Sequence, residues 1–326
     1  MARSWGIWTR NKLQTLERYL KAFATASKGS DERIYLDLFA GQPENRDRVT
    51  GEPITGSAEM ALALDDPGFT RIRLFELQVN ARRLEDSLRG RYPGRDLRII
   101  PGDCNDAIQQ ALKDLHELRW APTFAFIDPN GPDCRWTTLE RLADFRRDQK
   151  TKAEIWLLFP AGLFMRTLPV EGGTVQDSDA GRITAMYGTE DWRVIYEMRL
   201  RGELTAAQAR EEYVNLMRWR MEKLLGYRWT HPLEVKNEHG VSLYHMIFAT
   251  DHEAGTRIMT HIYGQALAEF PAMLREVRDL RRAKDEEKLG IMSLFEPQDL
   301  PPVSSAKPTS GDAYRHDPPW QPPAAN

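Results

Sequence analysis

Cysteine is nearly absent: two in 326 residues, Cys104 and Cys134, cannot build a secreted disulfide framework, so a reducing cytoplasm is the expected compartment. Long apolar runs are missing too. The longest, AEIWLLFPAGLFM (153–165), is too short to cross a bilayer and is broken by Pro160, and the opening MARSWGIWTRNK lacks the apolar stretch of a signal peptide. Neither sign of charge is in excess, since 45 Lys+Arg against 48 Asp+Glu leave −3. That balance argues against gripping nucleic acid by bulk charge and is compatible with a local basic face. No repeat of 20–50 residues is present, which excludes solenoids and propellers. GxGxxG and GxxxxGK[ST] are both missing; the first absence argues against a nicotinamide oxidoreductase and the second excludes a P-loop NTPase. Neither cysteine has a CxxC or histidine pattern beside it, and HELRW (116–120) lacks a metalloprotease's second histidine, so no metal site is expected.

What is present begins with a strand–helix alternation from 33 to about 160. The apolar runs IYLDLFA (34–40), RIRLFEL (71–77), LRIIPGD (97–103), TFAFIDP (123–129) and EIWLLFP (154–160) are separated by amphipathic stretches at 57–64, 78–92, 105–120 and 137–149. Such alternation predicts a parallel sheet of right-handed crossover units, and near-continuous apolar strands fit a sheet covered on both faces. An amphipathic helix over 10–25 precedes it. Beyond 160 the pattern is mostly helical, with one clear late strand, VSLYHMIFAT (241–250), and a helical stretch over 253–284 that Pro271 is expected to kink or split. From 297 the chain is rich in Pro, Ser and Ala, a composition expected to stay disordered.

Acids recur at the carboxyl ends of the first four strands: Asp37, Glu76, Asp103 and Asp128. Ligands of open parallel sheets bind beyond those ends. An acid after the second strand can take both hydroxyls of a ribose, one after the third can accept from an adenine amine, and one near the first can pair with an amino-acid ammonium. Together they describe S-adenosylmethionine. Each acid alone reads more readily as a cap for the following helix, and it is the four in succession that point to a cofactor.

The order of WTRNKLQTLERYL, YLDLFAG, GSAEMALAL, FEL, PGDCND and FAFIDPNG, followed by YGTEDWRVIY (187–196) and SLYHMIFATDHEAGTRIM (242–259), resembles the three-Cys-motif partner (TcmP) family over about residues 5–285. The resemblance implies an α/β fold with the Rossmann-like sheet of a class I methyltransferase, mostly parallel with a late antiparallel strand, plus helical additions. It implies cofactor contacts at Asp37, Phe39, Gly41 and Glu76, and further ones at Leu77, Asp103, Cys104 and Lys12. It also implies a cysteine-rich, radical-S-adenosylmethionine-like partner protein. After the first strand this chain reads Ala40-Gly41-Gln42-Pro43 where the family tends toward AGPG, so the second glycine of the cofactor loop is missing.

IDPNG (127–131) stands where base-amine methyltransferases carry [DNS]PP[YFW], which places catalysis at Asp128 and Pro129. Asn130-Gly131 replace the second proline and the aromatic; Trp136 is either a stacking surface or core. Asp177 and Asp179 fall in a polar stretch, 171–181, that reads as a lid or a plain loop. Arginines concentrate at 89–98, 141–152 and 274–284, as a phosphate-contacting face for DNA or RNA or as solvated helix faces. IMSLF (291–295) resembles sliding-clamp docking peptides without their leading Gln. The expected organisation is a helical cap over 1–32, an α/β domain over 33–290 with a helical insertion at about 161–230, and a tail over 291–326. The expected activity is methyl transfer to a nucleic-acid amine; a non-catalytic partner protein is the alternative, and a metal-dependent nuclease a third.

Overall fold

The computed structural model describes residues 3–5, 7–42, 45–47, 51–170, 173–237, 239–288 and 314–324. Pro43 and the 291–295 stretch lie outside the described residues. Two short strands, β1 (Arg3–Trp5) and β3 (Asn45–Asp47), pair in parallel apart from the main sheet. The main sheet contains β2 (Ile34–Asp37), β4 (Arg71–Glu76), β5 (Leu97–Pro101), β6 (Thr123–Ile127), β7 (Glu154–Phe159), β8 (Trp229–Lys236) and β9 (Ser242–Thr250), in the order β5-β4-β2-β6-β7-β9-β8. All neighbours from β5 to β7 are parallel; β9 runs against both β7 and β8. This is a class I methyltransferase-like sheet, mostly parallel with a late reversed strand.

The helices are α1 (Ile7–Ala26), α2 (Ser57–Leu62), α3 (Gln78–Arg91), α4 (Cys104–Asp114), α5 (Trp136–Phe145), α6 (Ala161–Thr167), α7 (Asp177–Tyr187), α8 (Trp192–Leu200), α9 (Ala206–Lys223) and α10 (Glu253–Lys288). They cover both faces of the sheet. Ile34 and Leu36 of β2 join one apolar layer with α4 to α9, whereas Tyr35 faces the other, made with α1, α2, α3 and α10. In α1, Leu13, Leu16, Tyr19, Leu20 and Phe23 recur at helical spacing and are all buried. Removing such a side chain from water contributes about 1.5–3 kcal/mol each.

Four expectations change. Asp177 and Asp179 do not sit in a loop; they open α7, where carboxylates favour the helix dipole. Pro271 does not split the late helix, for α10 runs through it. A second late strand, β8, is present. Its Pro232 is tolerated because β8 is the sheet's edge, where no neighbouring strand needs the missing N–H. Residues 314–324, whose composition argued for disorder, pack against the domain: Tyr314 is buried, its hydroxyl donates to the Pro232 carbonyl, and Asn215 holds Trp320. Among the described residues no helix is long and apolar enough to cross a membrane.

Candidate functional site

A cavity of about 950 Å³ opens beyond the carboxyl ends of β2, β4, β5 and β6 and is roofed by α1 and the start of β9. It lies where the strand order turns back on itself, with β4 on one side of β2 and β6 on the other. Phe39, Gly41, Glu76, Leu77, Asp103 and Cys104 line it, as do Lys12, Asp128 and Pro129. The chain thus gathers nine of the ten residues singled out in the sequence around one space.

Asp37 is the exception. It is the last residue of β2, shares the Tyr35 face, and is completely buried away from the cavity wall. Tyr35 donates its hydroxyl to Oδ2 at 3.0 Å, the Phe39 N–H reaches Oδ1 at 3.3 Å, and Ser57 adds a further bond. Burial raises its pKa to about 7 against these bonds, with the nearby Asp128 charge raising it further. This carboxyl supports the loop after β2 from the interior.

Glu76 ties two elements together. Its Oε2 accepts the Gly41 N–H at 2.7 Å, and its Oε1 accepts from the Leu77 N–H at 3.0 Å and the Asn80 amide at 3.2 Å. Gly41 takes φ +75, a conformation that L side chains rarely adopt, so the glycine lets the loop turn its N–H onto that carboxylate. Asp103 caps α4 by accepting the Asn105 N–H at 2.8 Å, and its other oxygen meets Arg135 at 3.3 Å. Capping and cofactor binding are therefore compatible: each carboxylate has four lone-pair sites, and both face the cavity. Cys104, beside Asp103, is buried, which pushes its thiol up to about 12 and disfavours the thiolate.

At the opposite end Lys12 forms a salt bridge with Asp128 Oδ2, both side chains largely shielded. Lys12, expected as a cofactor contact, lines the cavity and meets the acid assigned to the acceptor. The Lys12 ammonium also stands 5.8 Å from the centre of the Tyr244 ring. Trp136 is core: it is 4% exposed, its indole donates to Glu140, and Arg220 stacks on it at 4.6 Å.

Among the wall residues not singled out in the sequence are Asn45 and Tyr244. Asn45, 5% exposed, donates to the Gln42 carbonyl, while its Oδ1 has no hydrogen-bond partner among the described residues. The Tyr244 hydroxyl is likewise shut from solvent and unpartnered, its pKa raised first by burial and then by Asp128. Strand direction was the available clue for Tyr244. Because β9 runs antiparallel, its first residues lie beside the last residues of β7, as the Phe159–His245 pairing shows. Arg135, Arg166 and Arg182 stand on the cavity rim, Arg182 donating to Asp133 at 2.6 Å. Among the described residues no three histidine, cysteine or carboxylate side chains are placed to hold a metal ion.

No protein-family model matches the chain, and no curated protein matches it. Among solved structures it is similar to the methyltransferase domain of bacterial CtHen1-C, at 13% identity over 72% of this chain and 97% of that one, with a TM-score of 0.35. The methyltransferase-like description of the fold rests on the strand order and the reversed late strand described above.

Proposed function

We propose that the protein is an S-adenosylmethionine-dependent methyltransferase whose acceptor is an amine on a nucleic-acid base, and that it works with a three-Cys-motif protein in the cytoplasm. The observation that carries this reading is the continuity of one cavity from Glu76 and Asp103 to Asp128. The residues present fit the cofactor. Glu76 and Asp103 offer acceptors for ribose hydroxyls and an adenine amine, and Leu77, 62% exposed beside them, offers an apolar face. The unpartnered Asn45 Oδ1 offers the acceptor for an ammonium that Asp37 does not. When bound, the cofactor supplies a methyl group on a cationic sulfonium. Lys12 fixes the Asp128 carboxylate, whose remaining lone pairs accept from an acceptor amine and orient it. The rim arginines support a polyanionic acceptor.

The Lys12–Asp128 pair also favours a second reading, a non-catalytic partner protein, because it occupies part of the acid that an acceptor would use. Calorimetry with S-adenosylhomocysteine decides the cofactor. Micromolar binding to the wild type that Glu76→Ala weakens a hundredfold supports the assignment; no binding at millimolar ligand overturns it. Radiolabelled methyl transfer to mixed DNA and RNA oligonucleotides then separates the enzyme from the scaffold.

A further inference from the structure

The C-terminal segment lies in a bed built to read it. Asn215 of α9 donates its amide to the Trp320 carbonyl at 3.0 Å and accepts the Trp320 N–H at 3.0 Å. Glu212 accepts the Trp320 indole N–H at 3.0–3.1 Å. Arg218 donates to the Asp317 carbonyl, and the Tyr314 hydroxyl reaches the Pro232 carbonyl of β8 at 3.1 Å. The Tyr314 ring packs edge-on against Tyr263 of α10 at 5.1 Å, and Pro322 is buried.

We propose that the surface formed by α9 and β8 is a binding site for a proline-flanked tryptophan peptide, filled by residues 314–324 of this chain and vacated on acidification through His231 and His316. Three features argue for a peptide site and not mere packing. Three hydrogen bonds go to the segment's own main chain, at Asp317 and Trp320, and two side chains, Tyr314 and Trp320, add bonds of their own. Pro318, Pro319, Pro322 and Pro323 restrict it before docking and so lower the ordering cost. The occupant also covers β8, an edge strand that would otherwise be open to pairing with another chain. Tethering through residues 289–313 gives the segment a high effective concentration over its bed.

The acid sensitivity comes from what surrounds the two imidazoles. Their ring centres are 4.3 Å apart. His231 is completely buried, with Nε2 on the Thr256 hydroxyl of α10 at 2.6 Å; its Nδ1 and that of His316 have no hydrogen-bond partner among the described residues. Arg218 of α9 faces both, its charge opposed by Glu222 of α9 and by Asp317; Tyr314 and Tyr263 close the remaining side. A proton on either ring thus joins a buried guanidinium. Burial, then the neighbouring His316 and Arg218, holds His231 down to about 3; burial and then Arg218 lower His316. Undocked, His316 returns to its ordinary value of 6.5. Since docking depresses these values, it is complete above 6.5 and weakens as pH falls, by about tenfold per unit for each histidine that titrates.

The test uses the full chain and a fluorescein-labelled peptide of residues 312–326. The variant Tyr314→Ala/Trp320→Ala undocks the resident segment, so it should bind the peptide at pH 7.5 at least tenfold more tightly than wild type. Adding Asn215→Ala should abolish that binding. From pH 7.5 to 5.5 affinity should drop about tenfold, and a His316→Phe peptide should show a shallower slope. Absent binding, indifference to Asn215→Ala or a flat pH profile overturns the proposal. If the double variant does not fold, hydrogen exchange on wild type decides: the Trp320 amide should be protected relative to the free peptide at pH 7.5 and about tenfold less so at 5.5, and free-peptide rates at both overturn it. Neither assay involves S-adenosylmethionine, so each proposal can fail alone.

Discussion

At the amino ends of β2, β4 and β7 the buried charges are answered by the protein itself. Glu154 accepts from the Tyr19 and Thr250 hydroxyls at 2.7 and 2.6 Å, Arg73 pairs with Asp96 at 2.7 Å, and Arg33 donates to the carbonyls of Gly68, Ser27 and Ser30. At the carboxyl ends Glu76, Asp103 and Asp128 surround an open cavity, and Asn45 Oδ1 and the Tyr244 hydroxyl lack partners among the described residues. One sheet therefore carries two kinds of polar edge. An unanswered polar atom costs about 1–3 kcal/mol, so its persistence beside a cavity points to a ligand. The strongest test of this contrast is to damage the answered edge. Glu154→Ala strands two hydroxyls and leaves a void, and should lower unfolding free energy by about 3 kcal/mol in urea titration. Affinity for S-adenosylhomocysteine should stay within twofold, and a tenfold loss would show that the edges are not separable.

Asp37 sits at the carboxyl edge yet behaves like Glu154. Burial raises both, to about 7 and about 6, above their ordinary 3.8 and 4.5. A raised carboxyl binds its proton more tightly when folded. Its contribution is therefore fully present below the unfolded value and is lost as pH rises through the folded one. Stability should accordingly decline between about pH 4 and pH 7. Asp37→Asn removes one of the two causes, so at pH 8 the variant should be more stable than wild type by ~1–2 kcal/mol. At pH 4 the two should coincide, and ligand affinity should not change. A variant that is no more stable at pH 8, or that loses ligand, would return Asp37 to the open edge.

The five main-sheet strands up to Phe159 were legible because apolar runs and helical periods alternate there, and acids at strand ends are visible as letters. Direction and depth are not. Asp37 and Asp103 look alike in sequence, but Asp37 still belongs to its strand and turns inward with Tyr35, whereas Asp103 lies past the end of β5. WTHPLEVK, with Pro232 and two charges, hides a strand because only its edge position makes them tolerable. Residues 314–324 read as unstructured because they own no core; Tyr314 borrows one from α10 and β8, and α9 supplies hydrogen bonds. Asn45 and Tyr244 come to the cavity from a short strand pair and from a reversed strand, so no local pattern marks them.

The smallest expected effect is the sharpest probe of the open edge. Asp103 both caps α4 and faces the cavity. Asparagine caps a helix about as well as aspartate, and the Arg135 pair it would lose is roughly half exposed and worth little. Asp103→Asn should thus leave stability within about 0.5 kcal/mol of wild type. If the carboxylate also accepts from an adenine amine, losing its charge should weaken S-adenosylhomocysteine about tenfold by calorimetry, the difference between a charged and a neutral acceptor. Unchanged affinity with unchanged stability would reduce Asp103 to a cap. The carboxyl edge would then owe its ligand to Glu76, Asn45 and the apolar face at Leu77, and the contrast between the two edges would hold only near β2 and β4.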